Sequence, residues 1–204
     1  MKTVFILIAI AAICSSYTPV DVKEAFLDNK IVPDVLENAP KKIINVSYPN
    51  GVIVKLGEEL TPTQVKKAPW VTWEAEEDAF YTLMMVDPDA PSREDPNLRQ
   101  VRHWLVMNIP ESFVESGDEI IEYLGSGAKE GTGLHRYIFL VYKQRDGIIE
   151  HNEARSTNRM RANRLVTSAS EFAERYNLGE PEFGNFFQAQ YDESVDRLHA
   201  RFID

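Results

Sequence analysis

The chain has 204 residues, is 44% hydrophobic and 26% charged, and carries 32 acidic against 22 basic side chains. That length and apolar share describe one ordinary globular domain and exclude a disordered chain. A net charge of −10 argues against a sequence-independent nucleic-acid binder and against docking on anionic membrane through a polybasic face, and a single cysteine excludes a disulfide scaffold and Cys-rich zinc sites.

The predicted elements begin with a segment to be set aside. Lys2, an apolar run from Val4 to Ile13, and then Cys14, Ser15 and Ser16 read as a secretory signal peptide over residues 1–16. The run is too short for a membrane-spanning helix, which needs about 20 apolar residues, and no transmembrane segment is expected elsewhere. Cleavage removes Lys2, Cys14 and no acid, so the remaining domain, residues 17–204, carries a charge of −11 and no cysteine. An extracellular protein is expected, held together by packing alone.

Val20–Asn29 is a short amphipathic helix candidate. Ile43–Ser47 and Val52–Leu56 flank Tyr48-Pro49-Asn50-Gly51, and Asn-Gly between two β-rich runs predicts a hairpin. Val71–Trp73, Phe80–Val86, His103–Ile109 and Arg136–Tyr142 follow as strands, the last two dense enough in aromatic and β-branched residues for a core. Ser168 and Glu171 have capping-box spacing ahead of Phe172–Tyr176. Tyr191, Val195, Leu198 and Phe202 form an apolar stripe on a terminal helix. The expected fold is mainly β: an antiparallel β-sandwich with short N- and C-terminal helices.

Three segments carry candidate chemistry. Asp87-Pro88-Asp89-Ala90-Pro91-Ser92-Arg93 is a stiff loop at a strand end, which fixes where its carboxylates point. Taken alone, it reads as an Asx-type turn with Asp89 paired to an arginine; alternatively, one Asp orients a histidine or accepts a proton from a ligand amine. Four of the ten glycines fall between Gly125 and Gly133, just before His135. They permit either an anion-cradling nest of backbone amides or a plain flexible loop. His103, at the head of a strand, reads alone as a structural histidine. Together, the Asp loop, the two strand-entry histidines and the glycines can meet at one end of a sandwich, where binding loops cluster. Zinc on His103, His135 and an Asp is chemically allowed, but no H-E-x-x-H spacing supports it. No G-x-S-x-G elbow or cysteine nucleophile marks a hydrolase.

The blocks Asp87-Pro-Asp-Ala-Pro-Ser-Arg93 and Gly131-Thr-Gly-Leu-His-Arg136 resemble the two signatures of the phosphatidylethanolamine-binding protein family, which includes Raf kinase inhibitor proteins and plant flowering regulators. Leu60–Gln64, His103–Asn108 and Phe187–Ala189 extend the likeness over roughly Pro40 to Phe202. The resemblance implies an anion pocket built from Asp87, His103, His135 and Tyr137, with Pro91, Gly127 and Leu134 shaping its wall. It also implies binding of a phosphate-bearing small molecule or phospholipid headgroup without turnover, and needs no cofactor or metal. Two positions depart from the family pattern. Val101 replaces an aromatic, and His199 replaces a tyrosine on the terminal helix. His199 is either a partly buried surface histidine or a third pocket imidazole that makes anion binding more pH-dependent.

Asn45-Val46-Ser47 is a glycosylation sequon within a predicted strand. Arg155, Arg159, Arg161 and Arg164 read either as a stretch that touches phosphates or a partner or, as favoured in an acidic protein, as a solvated, salt-bridged connection. The prediction is a secreted monomer that binds a phosphate-bearing small molecule or headgroup. The alternative is a protein-interaction module that inhibits a protease or regulates another partner.

Overall fold

The computed structural model describes residues 21–204; the signal peptide expected over residues 1–16 lies outside them. Helix α1 (Val22–Asp28) starts where the Asp21 side chain accepts a hydrogen bond from Lys23 N at 2.9 Å, and it buries Val22 and Phe26. A short helical turn, α2 (Ile31–Asp34), follows. The strands are β1 (Lys42–Ile43), β2 (Asn45–Ser47), β3 (Trp70–Thr72), β4 (Phe80–Asp87), β5 (Val101–Pro110), β6 (Asp118–Ile121), β7 (His135–Gln144) and β8 (Phe183–Ala189). Helix α3 (Ala169–Arg175) precedes β8, and α4 (Ser194–His199) follows it.

Six strands form one sheet in the order β1-β8-β7-β4-β5-β6, and β2 pairs with β3 in a second, two-stranded sheet. The mainly-β fold with short helices is as predicted, but the large sheet is mixed: β1 runs parallel to β8, and the other neighbours are antiparallel. Both faces of its centre are covered. Period-2 alternation sends Tyr81, Leu83 and Met85 of β4, with Tyr137, Phe139 and Val141 of β7, into a core closed by Val46, Val71 and Trp73 around the small sheet. Met84, Val86, Ile138 and Leu140 point the other way, against Phe26, Ile31 and Phe172 of the helices.

Several elements differ from expectation. The Asn50–Gly51 turn forms, with Gly51 at φ +86°. The run Val52–Leu56 is nevertheless not a strand; it touches β2 through Val54 N to Val46 O at 3.0 Å. Its backbone is shared with β8, since Asn185 Nδ2 donates to Val54 O at 3.1 Å and Gly57 N to Phe186 O at 2.8 Å. Ser168 caps α3 by accepting Glu171 N at 3.2 Å, as its spacing predicts. The terminal helix is shorter than the apolar stripe, leaving Tyr191 before it and Phe202 beyond it.

Candidate functional site

The antiparallel pairing of β4 and β7 brings the end of one strand beside the start of the other, with Val86 opposite Ile138. Asp87 and His135 therefore meet at the same end of the sheet. His135 Nδ1 lies 2.8 Å from Asp87 Oδ2, and both side chains are almost fully buried. The other oxygen, Asp87 Oδ1, accepts Asp89 N at 2.7 Å. The loop is thus an Asx turn and also orients a histidine, so both readings of the sequence hold together.

Alternation along β7 sends Arg136 to the opposite face. There its guanidinium bonds both oxygens of Asp89, at 2.9 and 2.6 Å, and Asp34 Oδ2 at 2.6 Å. Burial pushes the Asp89 carboxyl up, but the hydrogen bonds and charge of Arg136, with Arg93, outweigh it and hold the group below the usual carboxylate range. Asp89 is a buried anchor for the loop.

His103 reaches the same face by a different device. Met85 pairs with Trp104 and Val86 with Arg102, so His103 is the extra residue of a β-bulge in β5. Its ring meets Tyr137 edge-on at 5.1 Å. Nδ1 donates to Leu124 O at 2.9 Å, which leaves Nε2 as the free ring nitrogen. Burial depresses the His103 pKa, partly opposed by Asp87 and the Leu124 carbonyl. Tyr137 stacks on Phe187, 5.1 Å between ring centres, and its phenol oxygen accepts Gly127 N at 3.1 Å. Burial and the Asp87 charge keep that phenol protonated. His199 Nε2 donates to Gly127 O at 2.9 Å. Gly127 is therefore held at both ends of its residue, by Tyr137 and His199.

These residues enclose a cavity of about 190 Å³. Asp87, Pro91, His103, Gly127, His135 and His199 line it, among the residues singled out from sequence. Tyr137 stands behind the wall, fully buried. Leu134 faces a neighbouring surface hollow with Pro91 and Gly131–Gly133 instead. His199 is partly buried and lines the cavity, with its Nε2 spent on the Gly127 carbonyl. Gly131 and Gly133 adopt φ of +80° and +74° but lie outside the cavity, and the Gly127 amide is already bonded to Tyr137. The glycine stretch is thus a turn leading into His135, not a nest around the cavity.

The positive charge comes from Lys129 and from Arg161 and Arg164 of the arginine stretch, for which the sequence favoured a solvated connection over phosphate contact. Arg164 is 1% exposed. Its Nε donates to Met160 O, Nη1 to Arg102 O and His103 O, and Nη2 to Glu122 O and Thr157 O, at 2.8–3.3 Å. Among the described residues no carboxylate pairs with it. Burial pulls its pKa down to about 10, with the charge of Glu122 opposing. Apolar side chains complete the wall, Val101, Leu124, Leu165, Leu198 and Phe202 among them. Among the described residues, no group of three or more His, Cys, Asp or Glu side chains is arranged to hold a metal ion, and no helix is long and apolar enough to cross a membrane.

Comparison with known proteins identifies the family and the fold. Residues 49–187 match the family described as phosphatidylethanolamine-binding protein. The chain belongs to that family. It is 33% identical over 178 residues to "Putative odorant-binding protein A5" of Drosophila melanogaster, covering 87% of this chain and 84% of that protein. It is 39% identical over 173 residues to the "26 kDa secreted antigen" of Toxocara canis, covering 81% of this chain and 63% of the antigen, so it spans less than two thirds of that relative. Among solved structures, a chain named CG7054 matches with a TM-score of 0.70 and 44% identity, covering 85% of this chain and 98% of that one. Carboxypeptidase Y inhibitor, solved in complex with its cognate proteinase, matches with a TM-score of 0.71 and 25% identity over the same shares. The phosphatidylethanolamine-binding protein fold is thus common ground between sequence, structure and family.

Proposed function

We propose that the protein binds a phosphate-bearing small molecule or phospholipid headgroup in the cavity at the Asp87–His135 end of the sheet, without turning it over. The observation that carries this reading is Arg164, a buried guanidinium whose only partners are carbonyl oxygens, at the wall of a cavity with three imidazoles. A buried positive charge with no carboxylate bonded to it favours an anion. The Asp87 carboxylate is turned toward His135 and Asp89 N, which reduces its repulsion of such a ligand. The apolar wall suits the glycerol or acyl side of a headgroup better than free phosphate.

In this reading residues 1–16 are a cleaved signal peptide, residues 17–204 are the mature domain, and the protein is secreted as a monomer; the name of the Toxocara relative supports secretion. Titration calorimetry with phosphorylethanolamine tests the pocket. His135→Ala should weaken binding at least tenfold, and equal affinity would overturn the assignment.

A second reading, an inhibitor or regulator of a protein partner, is favoured by the likeness to carboxypeptidase Y inhibitor and by an exposed apolar face. Trp70 and Ile53, 65% and 57% exposed, flank Ser47 on the small sheet. A partner captured from extracellular fluid and retained by every cavity variant would support this reading.

A further inference from the structure

One flank of α4 faces a second hollow of about 280 Å³, which shares Leu198 with the first cavity. Ser194, Arg197, Leu198 and Arg201 line it at i, i+3, i+4 and i+7, so one face of α4 and the turn after it supplies two guanidinium groups. Lys66 faces them across the hollow, and the backbone of Gly125 and Ser126 makes the floor. A Cβ at Gly125 would lie 2.8 Å from Val65 O and 3.3 Å from Lys66 Cα. The missing side chain is what lets the Lys66 segment approach the floor so closely.

Two features of this hollow are unmet. No carboxylate lies within salt-bridge distance of Lys66, Arg197 or Arg201 among the described residues. Ser126 is 3% exposed, and its Oγ has no hydrogen-bond partner. The nearby acids are occupied. Asp192 accepts Thr63 N at 2.9 Å and bonds Ser194; Glu119 accepts Trp104 Nε1 at 2.8 Å; Glu122 accepts Asn158 N at 2.9 Å. Arg201 Nη2 is steadied on Asn158 Oδ1 at 2.9 Å. Three exposed cations with no carboxylate partner among the described residues converge on one concavity that also holds the unpartnered Ser126 hydroxyl, a combination that suits an anion's oxygens.

We propose that this hollow is a second anion site, which takes a phosphate monoester or a similar tetrahedral oxyanion. Arg197, Arg201 and Lys66 supply charge-assisted donors, and a rotation of the Ser126 side chain supplies a hydroxyl from the floor. The site rests on its own charges and burial and stands whether or not the first cavity binds a ligand.

The test is a ¹H–¹⁵N NMR titration of the full chain with inorganic phosphate, run on wild type and on the double variant Arg197→Gln/Arg201→Gln. Both arginines are exposed, so the variant should fold. In wild type the amides of Lys66, Ser126 and Arg201 should shift and saturate. In the variant their apparent affinity should fall about tenfold or more, as expected for lost charge-assisted hydrogen bonds. Shifts around Gly127 and His135 should be the same in both proteins. Absence of the Lys66 and Ser126 shifts, or equal shifts in the variant, would overturn the proposal. Failure of the first cavity reads out separately, at Gly127 and His135. Sedimentation with phosphatidylcholine vesicles, with and without phosphatidic acid, identifies the source of the phosphate. Variant-sensitive binding that needs phosphatidic acid assigns a lipid headgroup; phosphate shifts without vesicle binding assign a soluble ester.

Discussion

Replacing Arg164 by Met removes a buried charge while keeping most of the side-chain volume. The guanidinium spends all its donors on five backbone carbonyls of segments 102–103, 122 and 157–160, so it ties the long connection before α3 to β5. After the change, some acceptors keep another donor: His103 O retains Leu124 N at 2.8 Å, and Thr157 O retains Met160 N at 3.1 Å. Glu122 O loses its bond to Arg164 with no such substitute in the turns and loops. Hydrogen bonds to a charged group are worth about 1.5–3 kcal/mol each, and removing the guanidinium also removes its own cost of burial. The two effects together leave a net loss of roughly 3–5 kcal/mol. An apolar replacement is not neutral here, because the partners are carbonyls that stay in place. Urea denaturation measures the loss, and Arg164→Lys, which keeps the charge and some of the bonds, should lose less. The same substitution should weaken phosphorylethanolamine binding and raise the His103 pKa, since the Arg164 charge reinforces the larger effect of burial in lowering it. Stability within about 1 kcal/mol of wild type, a magnitude typical of surface changes, together with unchanged affinity, would refute the role given to Arg164.

His103 makes stability depend on pH. Its folded pKa is depressed, so as pH falls the unfolded chain takes up a proton before the folded protein does. Its contribution is intact above about pH 6.5 and is lost as pH falls from there toward the folded value, with a slope of up to about 1.4 kcal/mol per pH unit. Urea midpoints at pH 7.5 and 5.5 should differ more in wild type than in His103→Asn; equal differences would rule out this origin. Tyr137→Phe should cost about 1–2 kcal/mol by stripping Gly127 N of its acceptor, and should weaken ligand binding through the displaced wall. An unchanged denaturation midpoint would contradict it. Asn45 is exposed on β2, so expression through a secretory pathway should give an endoglycosidase-sensitive mass increment that Asn45→Gln abolishes; a single unmodified mass would exclude glycosylation at this position.

The Asp87–His135 pair was legible because proline-stiffened turn chemistry and a strand-entry histidine are local features, and the family signatures carry both. His103 was legible as a residue but not as a direction, since its bulge depends on how β5 registers against β4. Arg164 was illegible for a related reason. It closes a run of arginines that reads as solvated; Arg155 fits that reading through its pair with Asp118, whereas Arg164 is inside, bonded only to carbonyls. The glycines left two readings open because positive φ at Gly131 and Gly133 is required by a turn as readily as by an anion nest. Strand β8 was missed because Phe183–Ala189 is buried on both faces and includes Gly184, Asn185 and Gln188, so it shows neither alternation nor strong β propensity.

The bulge in β5 makes the binding end of this protein a matter of counting as well as of residue type. Deleting Arg102 would remove this bulge, leaving His103 opposite Val86 and turned toward the helices. Every side chain needed for the pocket could remain in the sequence while one of its imidazoles turned to the wrong layer. Relatives that keep the histidine but differ in length across this strand are therefore not equivalent at this site, and loop grafts here must preserve spacing before they preserve composition.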